Sequence, residues 1–312
     1  MRVAVLDDYQ HVALEAADWS DLDADIEVFH EPLGDEDAVV RRLRPFEVVV
    51  VMRERTPLPA TVLRRLPTLR LVVTTGAVNR SIDLGAAREQ GVTVCGTESR
   101  SRAAELTWAL ILAATRRLLT EAGSVRAGGW QTTVGGDLEG HTLGLLGLGR
   151  LGARVAAVGQ AFGMTTLAWS ENLTVERAAA VGVQAVPREE LFARADVLSV
   201  HLVLSDRTRG LVGPAELAAM KPTALLVNTS RGPIVDEAAL VHALRTGAIG
   251  AAALDVFDEE PLPADHPLRG LDNALLTPHI GYVTADTYAT FYRGVVEDIA
   301  AWSAGAPVRV LT

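Results

Sequence analysis

One stretch limits the possible folds of this chain more than any other: LGLLGLGRLGARVAAVGQAFG, residues 143–163. Thr142 to Leu146 read as a short apolar strand, and from Arg150 onwards apolar residues recur at helical spacing. Gly147, Gly149 and Gly152 lie between and complete G-x-G-x-x-G in the strand–turn–helix setting that the pattern requires. The first glycine permits a tight turn, and the second lets backbone approach a pyrophosphate. The third brings helix and strand close, so that the helix N-terminus, with Arg150 and Leu151, faces the phosphates. The stretch predicts a parallel β-α-β unit that binds a nicotinamide dinucleotide.

The same alternation continues on both sides. Before the motif, RVAVL, DIEVF, EVVVVM, RLVVTT and VTVC read as strands, separated by helical patterns such as DEDAVVRRLR and PATVLRRL. After it come the strands TTLAWS, DVLSVHL, TALLVNTS, IGAAALDV and ALLTPH, with TVERAAAVG, REELFARA, GPAELAAM and DEAALVHALRTG as helices. Strands alternating with helices imply parallel sheets covered on both faces, here as two units in tandem. SRAAELTWALILAATRRLL reads as one long helix linking the units, and its apolar excess predicts a homodimer contact through residues 100–119. A final helix from about Ala285 to Ala304 returns the chain to the first unit. The expected division is a discontinuous substrate domain, 1–99 with 285–312, and a dinucleotide-binding domain, 100–284. Ligands in open α/β sheets collect at the carboxyl ends of strands, so the cleft between the units is the expected site.

Composition narrows the function classes. With 312 residues, 49% of them hydrophobic, the chain can bury a sizeable core. A net charge of −10 argues against nonspecific nucleic-acid binding. Met1 leads straight into a strand with no signal-peptide pattern, and Arg116 and Arg117 interrupt the apolar run ALILAA far short of a membrane span. Cys95 is the sole cysteine, which excludes an intrachain disulfide and a cysteine-rich metal site. No metal, nucleic acid or membrane partner is expected, and the expected location is cytoplasmic.

Three later segments place reactive side chains just past predicted strands: Arg231 in NTSRGPIVDE, Asp255 and Glu260 in DVFDEEPLP, and His279 in TPHIGY. An arginine clamps a carboxylate through parallel N–H bonds. A histidine moves a hydroxyl proton near neutral pH, and a carboxylate behind it fixes its tautomer. The set suits oxidation of an alcohol beside a carboxylate. His201 also follows a strand and is a candidate for lining the cofactor site, as are Thr229 and Ser230 beside Arg231. Glu260 shares its acidic run with Asp258 and Glu259, and Arg53 competes with Arg55.

In GLLGLGRLG, VNTSRGPIVDEAAL, ALDVFDEEPLP and LTPHIG, in that order, the chain resembles the D-isomer-specific 2-hydroxyacid dehydrogenases over essentially its whole length. The resemblance implies two open parallel-sheet α/β domains, a Rossmann-type cofactor domain inserted in a flavodoxin-like substrate domain. It implies interconversion of a 2-oxo acid and a D-2-hydroxy acid with NAD or NADP. In its terms Arg231 binds substrate, Glu260, immediately before Pro261, is the carboxylate partner, and His279 is the acid/base. Asp255 corresponds to the residue that meets the nicotinamide carboxamide. MRERT points to Arg53 as a substrate contact, and TTGAVNRSID points to the backbone N–H groups of Gly76, Ala77 and Val78.

Two departures stand out. Ser170 occupies the strand end where an NAD-preferring site carries an acid, but Glu171 follows it and no Arg or Lys appears until Arg177. NAD is favoured, with NADP open. Tyr282 follows HIG where a small residue is usual and is expected to shape the substrate pocket. Three alternatives have distinct signatures. Formate dehydrogenase would require glutamine at Glu260. A phosphoglycerate dehydrogenase would here lack a C-terminal regulatory domain. A nucleotide-sensing corepressor would carry a recruitment segment that is not evident.

Overall fold

The computed structural model describes residues 1–98 and 102–312. Contacts divide the chain into two compact units, Met1–Arg100 with Val283–Thr312 and Ser101–Tyr282. The domain limit expected at 99/100, and Ser101 at the start of the expected linking helix, lie outside the described residues.

The first unit contains β1 (Arg2–Val5), β2 (Asp25–Val28), α1 (Glu36–Leu43), β3 (Val48–Val51), α2 (Ala60–Leu63), β4 (Leu71–Thr74), α3 (Leu84–Glu89) and β5 (Thr93–Gly96). Its strands are all parallel, in the order β2-β1-β3-β4-β5. This is the flavodoxin-like order. Every residue of β3 and β4 is buried, which is why they read as unbroken apolar runs and not as alternating ones. Val49, Val51, Val72 and Val94 join Val39, Leu43, Leu63 and Ala87 from the helices in one core. Asp35 and Asp83 cap α1 and α3 by accepting from Ala38 and Ala86 N–H.

The second unit comprises α4 (Ala103–Thr115), α5 (Leu118–Arg126), β6 (Thr142–Leu146), α6 (Arg150–Ala161), β7 (Thr165–Trp169), α7 (Val175–Ala179), β8 (Gln184–Ala185), α8 (Arg188–Arg194), β9 (Val197–Val200), α9 (Pro214–Ala219), β10 (Leu225–Asn228), α10 (Glu237–Thr246), β11 (Ala251–Leu254) and β12 (Ala274–Leu276). Its parallel strands run β12-β11-β10-β9-β6-β7-β8, the doubly wound Rossmann order with one strand added. Neighbouring strand residues face opposite cores. Leu226 and Leu254 pack among residues of α8, α9 and α10, whereas Leu225, Val227 and Ala253 pack among residues of α4 and α6. Finally α11 (Ala285–Ser303) lies on β4 and β5 of the first unit and buries Tyr288, Phe291, Tyr292, Val295 and Ile299. The tail after it bridges β5, with Leu311 N–H donating to Val94 O at 2.7 Å.

The long linking helix expected over 101–119 is instead two helices. Arg116 ends α4, and Arg117 takes left-handed backbone (φ 49°), so the chain turns before α5 begins. Burial explains the difference. Trp108, Leu110 and Ile111 of α4 are buried, while α5 buries no residue and so does not continue the α4 axis against the sheet. Among the described residues no helix is long and apolar enough to cross a membrane, and no group of His, Cys, Asp and Glu is arranged to hold a metal ion.

Candidate active site

In the second unit every candidate side chain leaves the carboxyl end of a strand, and β7, β6, β9, β10, β11 and β12 are consecutive in the sheet. The glycine motif sits between β6 and α6. Gly147 has φ 100°, and a Cβ there would lie 2.7 Å from His201 O. A Cβ on Gly152 would lie 2.2 Å from Gly147 O. These two glycines are therefore required by the protein's own packing. Gly149 is different: a Cβ there would meet no protein atom within 4 Å. It is the N-cap of α6, no side chain caps that helix, and Arg150 and Leu151 begin it. Bare first-turn amides behind a glycine fit a phosphate, so the residues present match a dinucleotide.

Ser170 and Glu171 follow β7 beyond Trp169, whose carbonyl accepts from Gly147 N–H at 2.8 Å. Arg177 turns back onto Asn172 O at 3.4 Å. After β9, His201 Nε2 lies 2.9 Å from Ser199 Oγ, and burial pushes its imidazole down to about 4. It is therefore neutral at physiological pH beside the phosphate turn.

The loop after β10 is held by a residue of the Arg231 motif to which the sequence assigned no role. Asn228 is buried; it donates Nδ2 to Arg231 O (2.9 Å) and accepts from Ser230 N–H (3.0 Å). Thr229 Oγ1 lies 2.8 Å from Thr107 Oγ1 of α4, and Ser230 Oγ donates to Leu202 O. Arg231 itself donates Nη1 to Ser230 O at 2.8 Å. The next residue sets the distance to the neighbouring loop. A Cβ on Gly232 would lie 2.1 Å from both C and O of Phe257, so only glycine lets the Arg231 loop touch the loop after β11.

That second loop carries Asp255 and Glu260. Asp255 is buried, and desolvation raises its carboxyl above the usual range. Its Oδ1 accepts from Thr277 Oγ1 (2.6 Å) and Ile280 N–H (2.8 Å), and its Oδ2 accepts from Gly281 N–H (2.9 Å). Asp255 thus holds the turn after β12 that presents His279. His279 adopts left-handed backbone (φ 53°), a conformation costing a non-glycine residue about 1–3 kcal/mol and concentrated at functional sites. Its Nδ1 lies 2.6 Å from Glu260 Oε2, while Glu260 Oε1 accepts from Phe257 N–H at 2.9 Å. An ionised carboxylate only accepts, so Nδ1 carries its hydrogen toward Glu260 and Nε2 is left for proton exchange. Tyr282 is buried with its ring edge-on to that of His279, centroids 5.7 Å apart.

In the first unit Arg53 also has left-handed backbone (φ 55°). Its N–H donates to Thr75 Oγ1 (2.9 Å), and a Cβ on Gly76 would lie 1.9 Å from its Nη1. The competing Arg55 is engaged elsewhere, donating to Asp7 O at 2.8 Å and lying 4.4 Å over the Tyr9 ring. Gly76 gives its N–H to Thr97 Oγ1 at 2.8 Å, so its part is to admit the guanidinium, whereas Ala77 and Val78 are exposed. Asn79, a second buried residue that lies in the TTGAVNRSID motif without an assigned role, donates to Arg53 O and to Thr74 Oγ1. Asn228 ends strand β10 and Asn79 lies five residues past β4, and within their motifs that position is the signal that could have singled them out.

Comparison with known proteins gives the family. The D-isomer specific 2-hydroxyacid dehydrogenase NAD-binding domain matches residues 108–281. The chain belongs to that family. It is similar to a glyoxylate reductase of Aeropyrum pernix, 42% identical over 78% of this chain and 76% of the relative. It is 37% identical to a D-3-phosphoglycerate dehydrogenase of Archaeoglobus fulgidus over 87% of this chain, and spans about half (52%) of that longer relative. In structure it resembles a phosphoglycerate oxidoreductase of Vibrio cholerae O395, with a TM-score of 0.94 and 40% identity over 98% of this chain and all (100%) of the other. As a member of the D-2-hydroxyacid dehydrogenases the chain is an NAD(P)-dependent oxidoreductase, and its second unit is the family's Rossmann domain.

Proposed function

We propose that this dehydrogenase reduces a small 2-oxo acid to the D-2-hydroxy acid, with His279 as the acid, Glu260 behind it and Arg231 on the substrate carboxylate. The supporting observation is the 2.6 Å His279–Glu260 pair beside a loop that Gly232 brings into backbone contact with the Arg231 segment. Gly147, Gly149 and Gly152 would hold NAD(P)H, which would supply the hydride. Protonated His279 gives its Nε2 proton to the oxygen of the reduced carbonyl, and Glu260 stabilises the cation beforehand. Arg231 pairs with the carboxylate and polarises the carbonyl, so charge gathering on oxygen meets a fixed donor. In oxidation, neutral His279 takes the proton back. Asp255 would meet the carboxamide end of a bound cofactor, and Arg53, Ala77, Val78 and Tyr282 would contact substrate. The first unit serves as substrate domain. The test follows NADH absorbance with glyoxylate, hydroxypyruvate, pyruvate and the 2-oxo partner of 3-phosphoglycerate. Turnover of at least one is expected. Cofactor binding without turnover of any would favour the nucleotide-sensing reading instead.

NADH is the preferred cofactor. A 2′-phosphate would sit near Glu171, while the Arg177 guanidinium is turned onto Asn172 O. We expect kcat/KM at least about tenfold higher with NADH than NADPH, a difference of about 1.4 kcal/mol. Glu171→Gln should narrow that gap, and a gap unchanged in this variant would remove Glu171 from the selection.

The protein works as a homodimer, joined through α4–α5 and the segment that follows. Leu119 and Trp130 are 65% and 74% exposed on that segment. Glu121 ties the segment down by accepting from Thr132 and Thr133, bonds that hold its carboxyl below the usual range. Leu119→Asp should convert a dimer to a monomer in sedimentation velocity, and a monomeric wild type would refute the assignment.

A further inference from the structure

We propose that Glu237 and His266 form a brace that positions Glu260 against His279, an inference that rests on this pair being the reacting couple. Neither residue belongs to the site described above. Glu237 opens α10, five residues past Gly232, and His266 precedes the short 3₁₀ turn Pro267–Gly270. His266 Nδ1 accepts from Leu268 N–H at 3.3 Å, so that nitrogen carries no hydrogen and Nε2–H is the donor. Nε2 lies 2.9 Å from Glu237 Oε1. The other oxygen, Oε2, accepts from Asp258 N–H at 3.4 Å. One carboxylate therefore joins three segments: the helix that follows the Arg231 loop, the Asp255–Glu260 loop, and the chain that runs on from Pro261. Asp258 lies two residues before Glu260, and its neighbour Phe257 is the residue whose N–H fixes Glu260 Oε1 at 2.9 Å.

The chemistry needs a carboxylate at 237. Two N–H donors, one from backbone and one from imidazole, converge on its two oxygens. An amide of the same shape offers only one oxygen, and its NH₂ would face a donor. The acid also comes at an electrostatic cost, because the Asp258 carboxyl is raised by burial and then by Glu237 itself. Other functions are poor explanations. Both side chains are mostly covered, at 21% and 16% exposed, and the cavity beside Glu237, lined also by Asn228 and Gly232, is too small for a substrate (about 10 Å³). What remains is a positioning role, with Glu237 and His266 touching neither substrate nor cofactor.

The test uses Glu237→Gln, His266→Asn and His266→Gln in the full chain. His266→Asn keeps an oxygen for Leu268 N–H and loses the link to Glu237; His266→Gln places an amide Nε2 where the imidazole Nε2 stood. Glu237→Gln and His266→Asn should each lower kcat roughly tenfold, with KM and the NADH Kd within about twofold, and His266→Gln should restore most of the rate. In a Glu260→Gln background, Glu237→Gln should have no further effect, since it acts through Glu260. Independently of turnover, the low-field proton signal of His279 Nδ1–H should broaden in Glu237→Gln. Additive losses in the double variant, or an unchanged kcat with an unchanged His279 signal, would overturn the brace. Absence of turnover in the wild type would instead refute the functional assignment, and the His279 signal would still decide the brace.

Discussion

His279→Ala should lower kcat with the best 2-oxo acid by about 10²–10⁴-fold while the NADH Kd changes less than about threefold. The split follows from where the side chain is anchored. Its turn hangs on Asp255, through Thr277 Oγ1, Ile280 N–H and Gly281 N–H, and these bonds do not involve the imidazole. The phosphate turn at Gly147–Gly152 lies between β6 and α6, built from other residues. Removing the ring therefore leaves the loop and the cofactor cradle intact and deletes only the proton carrier. Glu260→Gln should produce a smaller loss, because its single amide oxygen can still accept from Nδ1–H, but it brings no charge to stabilise the imidazolium and turns its NH₂ toward Phe257 N–H. Stopped-flow single turnovers and fluorescence titration with NADH would measure both quantities. A His279→Ala enzyme within threefold of the wild-type kcat would end its assignment as the acid.

The second large effect comes from a residue with no side chain. In Gly232→Ala the new methyl would lie 2.1 Å from Phe257 C and O and 2.6 Å from Asp258 N. All three contacts are backbone, so no side-chain rotation relieves them, and the two loops must separate. Overpacking of this kind costs about 1–3 kcal/mol or somewhat more, which should lower Tm by roughly 5 °C. The larger consequence is catalytic. Arg231 and Glu260 lie on the two loops being forced apart, and a displacement of order 1 Å is worth about 10² in kcat/KM. Gly149→Ala is the matched control, since its methyl meets no protein atom within 4 Å and should leave Tm unchanged while weakening NADH binding. Scanning calorimetry and steady-state assays on the two variants would separate packing from ligand contact. Equal Tm in Gly232→Ala and wild type would show that the loops are not held as described.

Much of the strand framework was readable from local pattern. Thr142–Leu146 is strand β6 and helix α6 starts at Arg150, because the glycines between them punctuate two clear periodicities. The apolar runs VVVV and LVVT became β3 and β4 because burial on both faces erases alternation. The pattern failed at Arg116–Arg117. Helix periodicity continues across these residues, and only the lack of anything for α5 to bury shows that the axis changes. The two-residue β8 is too short for any period to register.

For the site the division is sharper. Residue type and order pointed to Arg231, an acid of the 255–260 loop and His279, since carboxylate binding and proton transfer need a guanidinium, an acid and an imidazole, and each follows a strand; only the family resemblance singled out Glu260. Which acid of the run DEE faces the histidine, why residue 232 must be glycine, and what Asp255 and Asn228 hold were decided by tertiary structure. The reason is physical. Periodicity and composition report contacts between residues close in the chain. The Glu260–His279 bond spans 19 positions and the Asp255–Gly281 bond 26. Such distances close only after parallel strands have lined up in register and brought their loop ends together.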